Sequence, residues 1–342
     1  MTSRTEAWID PRWRLELIDW ATERLRERGR SITGEIEQPH IRPWSTVFRI
    51  PTSRGMAWCK ATGPGTAHEV KLLPAFAAWG TRHIVAPLAA DPGRSWLLLE
   101  DGGSTLRQTR PDGRGDADFG AWERILADHA ALQRSVERRA DDLLAMGVPD
   151  GRPEALPGTF ERLVSDDAVW ARVPSDERAE AEAARPRLRM LGTWVAARAS
   201  ELARTGIAAT IQHDDLHGGN VFVDDGEIRF FDWGDAVVAH PFGVLVTTLN
   251  SVGYRLELDP DGPGLRRLRD AYLEAWTDVL PRSGLDEALA LALDLGRVGK
   301  AAAWQRALDG LDPVDMGEHA GAPALWLADL VDRLDRQGRA PG

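Results

Sequence analysis

The chain has 342 residues, a formal net charge of −11, 43% hydrophobic residues and a single cysteine, Cys59. Its length exceeds the size at which one hydrophobic core usually stops growing, so two lobes or domains are expected, packed rather than disordered given the hydrophobic content. One cysteine excludes an intrachain disulfide and an all-cysteine metal centre, the acidic balance argues against nucleic acid as a partner, and no apolar run approaches a membrane span.

In chain order, the residues before Ser31 predict an amphipathic helix, with Leu17, Ile18, Ala21 and Leu25 on one side and Gly29 as its stop. The N-terminus mixes Glu6, Asp10, Arg12 and Arg14 with apolar residues and lacks a signal-peptide pattern, so a cytoplasmic protein is expected. Ser45 to Ile50 and Met56 to Ala61 read as a hairpin around Pro51 to Gly55, with Lys60 on the second strand and Cys59 on the opposite face. A helical pattern begins near Ala67 and contains Glu69, Leu72, Leu73 and Phe76; Pro74 inside it should kink or shorten the helix. Ile84 to Leu88 and Trp96 to Leu99 read as two further strands, the second ended by Glu100, Asp101, Gly102 and Gly103.

Beyond residue 101 the pattern turns helical. An exposed loop is followed by helical spacing from Phe119 to Val136, on whose apolar face His129 reads as a packed core residue. Residues 147–158, rich in proline and glycine, read as a connector. Helices are expected near 159–170, 176–204, 264–280, 285–309 and 323–337. Most of the 14 tryptophans, Trp20, Trp58 and Trp122 among them, fall in apolar patterns and read as core; Trp304 is a candidate lining residue for an acceptor pocket, weighed against simple burial.

Between those helical stretches lies the segment that carries chemistry: His213, Asp214, Asp215, Leu216, His217, Gly218, Gly219 and Asn220, then Val221 to Val223, an Asp224-Asp225-Gly226 turn, and Ile228 to Phe231 followed by Asp232, Trp233 and Gly234. The two apolar runs predict a hairpin that brings Asn220, before its first strand, beside Asp232, at the end of its second. Gly218 and Gly219 are expected to free the loop for backbone angles closed to other residues. An aspartate, an asparagine five residues on and an aspartate on the next strand form a minimal set for metal-assisted phosphoryl transfer: one carboxylate orients the attacking hydroxyl, and an amide oxygen and a second carboxylate hold Mg²⁺. His213 and His217, four apart, are also compatible with zinc ligands on a helix, but two glycines and a strand follow at once. A metal phosphohydrolase would need helpers beyond His129 and His240, and a merely structural turn would not need Asp215, Asn220 and Asp232 together.

This segment resembles the His-Gly-Asp-Leu-His-x-x-Asn signature of the aminoglycoside phosphotransferase (APH) and choline-kinase-like family, through His213, Asp215, Leu216, His217, Asn220, Asp232 and Gly234. The departure is Asp214, which stands where the signature usually has Gly and implies an unusual backbone angle or an altered charge preference. The resemblance implies an α+β, two-lobed protein-kinase-like fold, with an antiparallel-sheet nucleotide lobe over residues 1–100 and a mainly helical lobe with the acceptor pocket over 101–342. It further implies an ATP-dependent transfer of the γ-phosphoryl group, with GTP also open, to a hydroxyl of a small molecule. Asp215 then orients or deprotonates the hydroxyl, Asn220 and Asp232 hold Mg²⁺, and Lys60, positioned by Glu69, contacts the phosphates. Ser45 and Thr46 stand where a glycine-rich loop would cover those phosphates and offer hydroxyl and N–H donors; Glu100 and Asp101 mark the hinge whose backbone binds the adenine edge.

Two other readings bear on the same residues. A regulatory, nucleotide-binding pseudokinase would have no need of Asp215, and a protein kinase would show an Ala-Pro-Glu element after Asp232-Trp233-Gly234, which this chain lacks. The acceptor class stays open among aminoglycosides, amino sugars, other sugars and amino alcohols. The net charge, with Asp214 beside Asp215, leads to the expectation of a cationic one.

Overall fold

A computed structural model describes residues 3–224 and 226–338; Asp225 of the expected hairpin turn lies outside them. The expected N-terminal helix is two: α1 (Arg4–Ile9), opened by a Ser3/Glu6 capping box, and α2 (Pro11–Glu27), capped by Asp10. The break falls at Pro11, which lacks an N–H and is favoured in a helix's first turn. Helix α2 buries Leu17, Trp20, Ala21 and Leu25.

Next comes a five-stranded antiparallel sheet of β1 (Glu37–Arg42), β2 (Ser45–Thr52), β3 (Gly55–Thr62), β4 (Pro87–Asp91) and β5 (Trp96–Glu100), in the order β1-β2-β3-β5-β4. Strand alternation separates Cys59, buried in the apolar cluster beneath α1 and α2, from Lys60 on the other face. Helix α3 (Glu69–Ala78) carries Pro74 without ending there. The strand expected over 84–88 starts instead at Pro87. Ile84 forms an isolated bridge to Phe230, and Phe230 N–H donates to His83 O, so this segment is drawn to the later hairpin rather than to the sheet.

The remaining chain is helical around small sheets. Helix α4 (Phe119–Ser135) is capped by Asp118, and α5 (Ala140–Ala145) follows. The expected 159–170 and 176–204 helices are each divided: α6 (Leu156–Ser165) from α7 (Asp167–Ala171) at the Asp166 cap, and α8 (Arg178–Met190) from α9 (Gly192–Ala203) at Leu191. Strands β6 (Asp150–Gly151) and β7 (Thr210–Gln212) flank β10 (Val237–Ala239), while β8 (Val221–Asp224) and β9 (Glu227–Phe230) form the expected hairpin. Helices α10 (Leu245–Leu256), α11 (Pro263–Glu274), α12 (Arg282–Leu308), α13 (Pro313–Met316) and α14 (Ala322–Arg336) complete the chain. Helix α10 had no sequence expectation. Its buried Leu245, Leu249 and Val252 do follow helical spacing, masked by neighbouring valines and threonines and by Gly253. Helix α11 ends at Glu274, six residues before the expected 280.

The fold is therefore α+β, an antiparallel sheet on one side and a helical portion on the other. Its main core runs through both, joining Val70, Phe76 and Leu97 to Trp122, Phe230, Trp233 and the long α12.

Candidate active site

The β8–β9 hairpin sets the frame. Val221 pairs with Phe230, and Phe231 N–H donates to Asn220 O at 3.3 Å, so the residues just outside the strands, Asn220 and Asp232, leave the hairpin from the same end. Asn220 Nδ2 donates to the Asp215 backbone O and to its Oδ2, both at 3.0 Å. That fixes the Asp215 carboxylate and leaves the Asn220 amide oxygen as an acceptor. His217 Nε2 stands 3.5 Å from Asp215 Oδ2, while its Nδ1 accepts from Gly219 N–H. Burial opposes the charge on Asp215, but the His217 hydrogen bond and the ammonium of Lys300 outweigh it and hold the carboxyl below its usual range.

His213 is fully buried, bonded through Nε2 to Phe231 O at 2.8 Å and packed 4.6 Å from the Trp233 ring. Burial lowers its pKa, so the imidazole is neutral. It pins the loop to the hairpin. The 213–217 segment is not helical, and His213 Nε2 is taken by the hairpin while both ring nitrogens of His217 face the loop itself. His129, with burial pushing it down to about 3, is the packed core residue expected.

Asp232 meets the sheet. Lys60 Nζ lies 2.6 Å from Asp232 Oδ1 and 2.6 Å from Glu69 Oε2, and Glu69 Oε1 accepts from Trp233 N–H at 2.9 Å. One fully buried glutamate thus ties α3 to β3 and to the turn after β9. Burial works against the Lys60 charge, yet Asp232 and Glu69 together raise its pKa. The Asp232 side chain remains about half exposed.

Strain sits elsewhere in this loop than expected. Gly218 and Gly219 do not take positive φ; Asp214 (φ 61°) and Asp232 (φ 63°) do. What demands glycine at 218 is space, since a Cβ there would stand 2.1 Å from Asp116 Oδ1. Asp214 is held in the left-handed region, at a cost on the order of 1–3 kcal/mol, by four contacts. Its Oδ1 accepts from Gln212 Nε2, its backbone O accepts from Lys300 Nζ (2.6 Å) and Thr247 Oγ1 (2.9 Å), and Lys300 Nζ is 3.8 Å from Oδ2. The carboxylate is buried and already paired. The sequence argument that it offers charge to an incoming cation therefore fails on burial.

The remaining site residues divide. Ser45 opens β2 at the turn, half-buried. Thr46 is fully buried and its hydroxyl is committed, donating to His40 O and accepting from Gln38 Nε2, so that side chain does not face a phosphate. Glu100 is exposed and paired with Arg30. Asp101 accepts from Trp58 Nε1 and Gly103 N–H, and the Gly102 backbone lies against the Phe222 ring, where a Cβ would come within 1.9 Å.

Two contributors had no sequence signal. Lys300, from α12, reaches the backbone of Asp214 across 86 residues. Trp44, in the turn before β2, packs edge-on against Trp304 at 5.6 Å and against His319 at 5.2 Å, joining that turn to the helical portion.

A buried lysine–glutamate pair on a sheet and helix, facing an aspartate and asparagine at one end of a hairpin, is the arrangement of a protein-kinase-like phosphotransferase. The model of the APH family, the phosphotransferase enzyme family, matches residues 68–291, more than half of the chain, and the chain belongs to that family. It is a small-molecule kinase. Comparison with curated protein sequences finds no match. Among solved structures it is similar to a choline kinase from Cryptosporidium parvum Iowa II (TM-score 0.59, 12% identity, 90% of this chain and 91% of that one). It is also similar to a macrolide 2'-phosphotransferase from Brachybacterium faecium (0.54, 18%, 91% and 98%) and to a thermostable mutant of an aminoglycoside phosphotransferase (0.56, 13%, 94% and 100%).

Proposed function

We propose that this enzyme moves the γ-phosphoryl group of ATP to a hydroxyl of a small molecule, with Asp215 at the hydroxyl, Asn220 and Asp232 as the Mg²⁺ ligands and Lys60 on the phosphates. The observation that carries this reading is the convergence of Lys60, Glu69 and Asp232 within 2.6 Å contacts, next to the Asn220–Asp215 pair. The donor set fits Mg²⁺: one half-exposed carboxylate and one amide oxygen supply few protein ligands and leave positions for phosphate oxygens and water. Two carboxylates, Glu69 and Asp232, share the one ammonium of Lys60, so a divalent cation also corrects the local charge. When bound, the metal neutralises the charge developing on the β- and γ-phosphate oxygens.

In the transfer, the acceptor oxygen forms its bond to the γ-phosphorus as the bond from that phosphorus to the bridging oxygen breaks. The nucleoside diphosphate leaves, and the hydroxyl proton passes to Asp215. A carboxylate held this acidic is a weak base. Its main work is to orient the hydroxyl and take the proton late, which suits a loose transition state. Residues 1–100 form the nucleotide side and 101–342 the catalytic and acceptor side in this reading. The hinge contacts are backbone ones around Glu100 to Gly102, open to adenine or guanine. Among the described residues no helix is long and apolar enough to cross a membrane, and dependence on ATP supports a cytoplasmic setting.

A regulatory pseudokinase is disfavoured by membership of an enzyme family and by the complete Lys60, Asp215, Asn220 and Asp232 set. The deciding experiment is titration of AMP-PNP with and without Mg²⁺, alongside an acceptor panel with labelled ATP. Nucleotide binding indifferent to Mg²⁺ and to Asp232→Ala would refute the reading.

A further inference from the structure

A cavity of about 620 Å³ opens between α10, α11, α12 and α14, in the range that holds drug-sized ligands. Its inner end approaches the loop after β7 through α12: Lys300, whose Nζ donates to Asp214 O, lies 6.0 Å over the ring of the lining Trp326, and the lining Trp304 packs against Trp44 of the turn before β2. Leucines and two tryptophans, Trp304 and Trp326, form the walls.

The outer end is different. Arg269, Arg297, Arg333 and Arg336 line it, against the carboxylates of Asp261 and Asp329, with Asp294 behind Arg333. Four guanidinium groups thus face three carboxylates, and Asp261 is nearly fully exposed. Burial above all, and also the Arg333 guanidinium, work against the charges of Arg269 and Arg297, offset in part by Asp261 and Asp329. The buried Nε of Arg269 has no hydrogen-bond partner in the protein. Positive charge is gathered here beyond what the protein itself neutralises, although the chain as a whole is at −11. Arg297 and Trp304 are seven residues apart on α12, about 10 Å at 1.5 Å per residue, which measures the apolar stretch between the two ends.

We infer that the acceptor is a bulky, largely apolar alcohol bearing an anionic group such as a carboxylate. The hydroxyl points to Asp215, the body lies on the leucines and tryptophans, and the anion meets Arg269, Arg333 and Arg336. This rests on the kinase reading and narrows its acceptor. A polycation would place ammonium groups against guanidinium groups, and an alcohol as small as choline would leave most of the cavity unfilled.

The test compares a matched pair of probes, cholate and its neutral methyl ester, with kanamycin as the polycation, by calorimetry on the full chain saturated with Mg-AMP-PNP. Cholate is expected to bind at least tenfold more tightly than the ester, the scale of a charge-assisted contact. That advantage should shrink in Arg336→Gln and in Arg269→Gln, which remove charge without stranding a buried carboxylate. Equal affinity for the pair, an advantage unchanged in both variants, tightest binding of kanamycin, or no binding of any probe overturns the inference. Mg-AMP-PNP binding and its loss in Asp232→Ala are read separately in the same protein, so failure of the kinase reading is distinguishable from failure of the acceptor assignment.

Discussion

The nucleotide side and the acceptor side of this molecule gather charge to opposite effect. Around Lys60, one ammonium stands between the carboxylates of Glu69 and Asp232, a negative site completed by a cation. Around Arg333, four guanidinium groups stand against three carboxylates, a positive site completed by an anion. The lesson is that a bulk charge of −11 is an average over a surface and does not transfer to a cavity walled by specific side chains. The join between the two sides is Lys300, which holds the catalytic loop from the acceptor side.

The largest effects are expected on the nucleotide side. Asp232→Ala removes a proposed metal ligand and leaves Lys60 paired with Glu69 alone, so the fold should survive while Mg²⁺-dependent turnover drops by a factor on the order of 10³ or more. Steady-state kinetics with circular dichroism as the fold control checks this. Near-normal turnover would remove Asp232 from the mechanism.

Asp215→Asn should separate binding from chemistry. The amide keeps the shape, and Asp215 is not a proposed metal ligand, so affinity for Mg-AMP-PNP should hold while kcat falls by roughly 10²–10⁴. If calorimetry instead shows the nucleotide affinity collapsing, Asp215 belongs to the metal site.

Lys300→Met probes the join. It strands the buried Asp214 carboxylate and should cost about 3–5 kcal/mol of stability. Asp214→Gly removes that charge and places the residue suited to φ 61°. The double variant should therefore recover part of the loss in urea unfolding, the remainder reflecting the Lys300 field on Asp215; simple additivity would mean that Lys300 and Asp214 do not act as a pair.

Legibility in the sequence follows how local the encoding is. The placement of Asp215, Asn220 and Asp232 was readable because the β8–β9 hairpin fixes their relation within eighteen residues, and that of Lys60 because strand alternation puts it opposite Cys59. Lys300 and the Arg269–Arg333 cavity were not, since they are made by helix packing across 86 and 64 residues, and nothing in a helix's own periodicity says which neighbour it meets. Asp214 shows both sides. Its departure from the family's glycine flagged an unusual backbone angle, which is present, but its partner lay too far along the chain to see, and with it the reason the carboxylate is not free.

The smallest effect should appear where the two sides touch directly. Trp44 belongs to the turn that stands over the proposed phosphate site, and Trp304 lines the acceptor cavity; their rings meet edge-on at 5.6 Å, with His319 stacked on Trp304 at 5.1 Å. An aromatic pair of this kind contributes about 0.5–1.5 kcal/mol beyond its buried area. Trp44→Ala should therefore raise the KM for ATP a few-fold, because the turn loses its support on α12, and leave kcat for bound substrates nearly unchanged. Trp304→Ala should do the same to the nucleotide KM without touching the nucleotide. The contact breaks in either variant, so the double variant should be no worse than the poorer single one. Strictly additive effects on KM would show that the turn and the acceptor wall act independently.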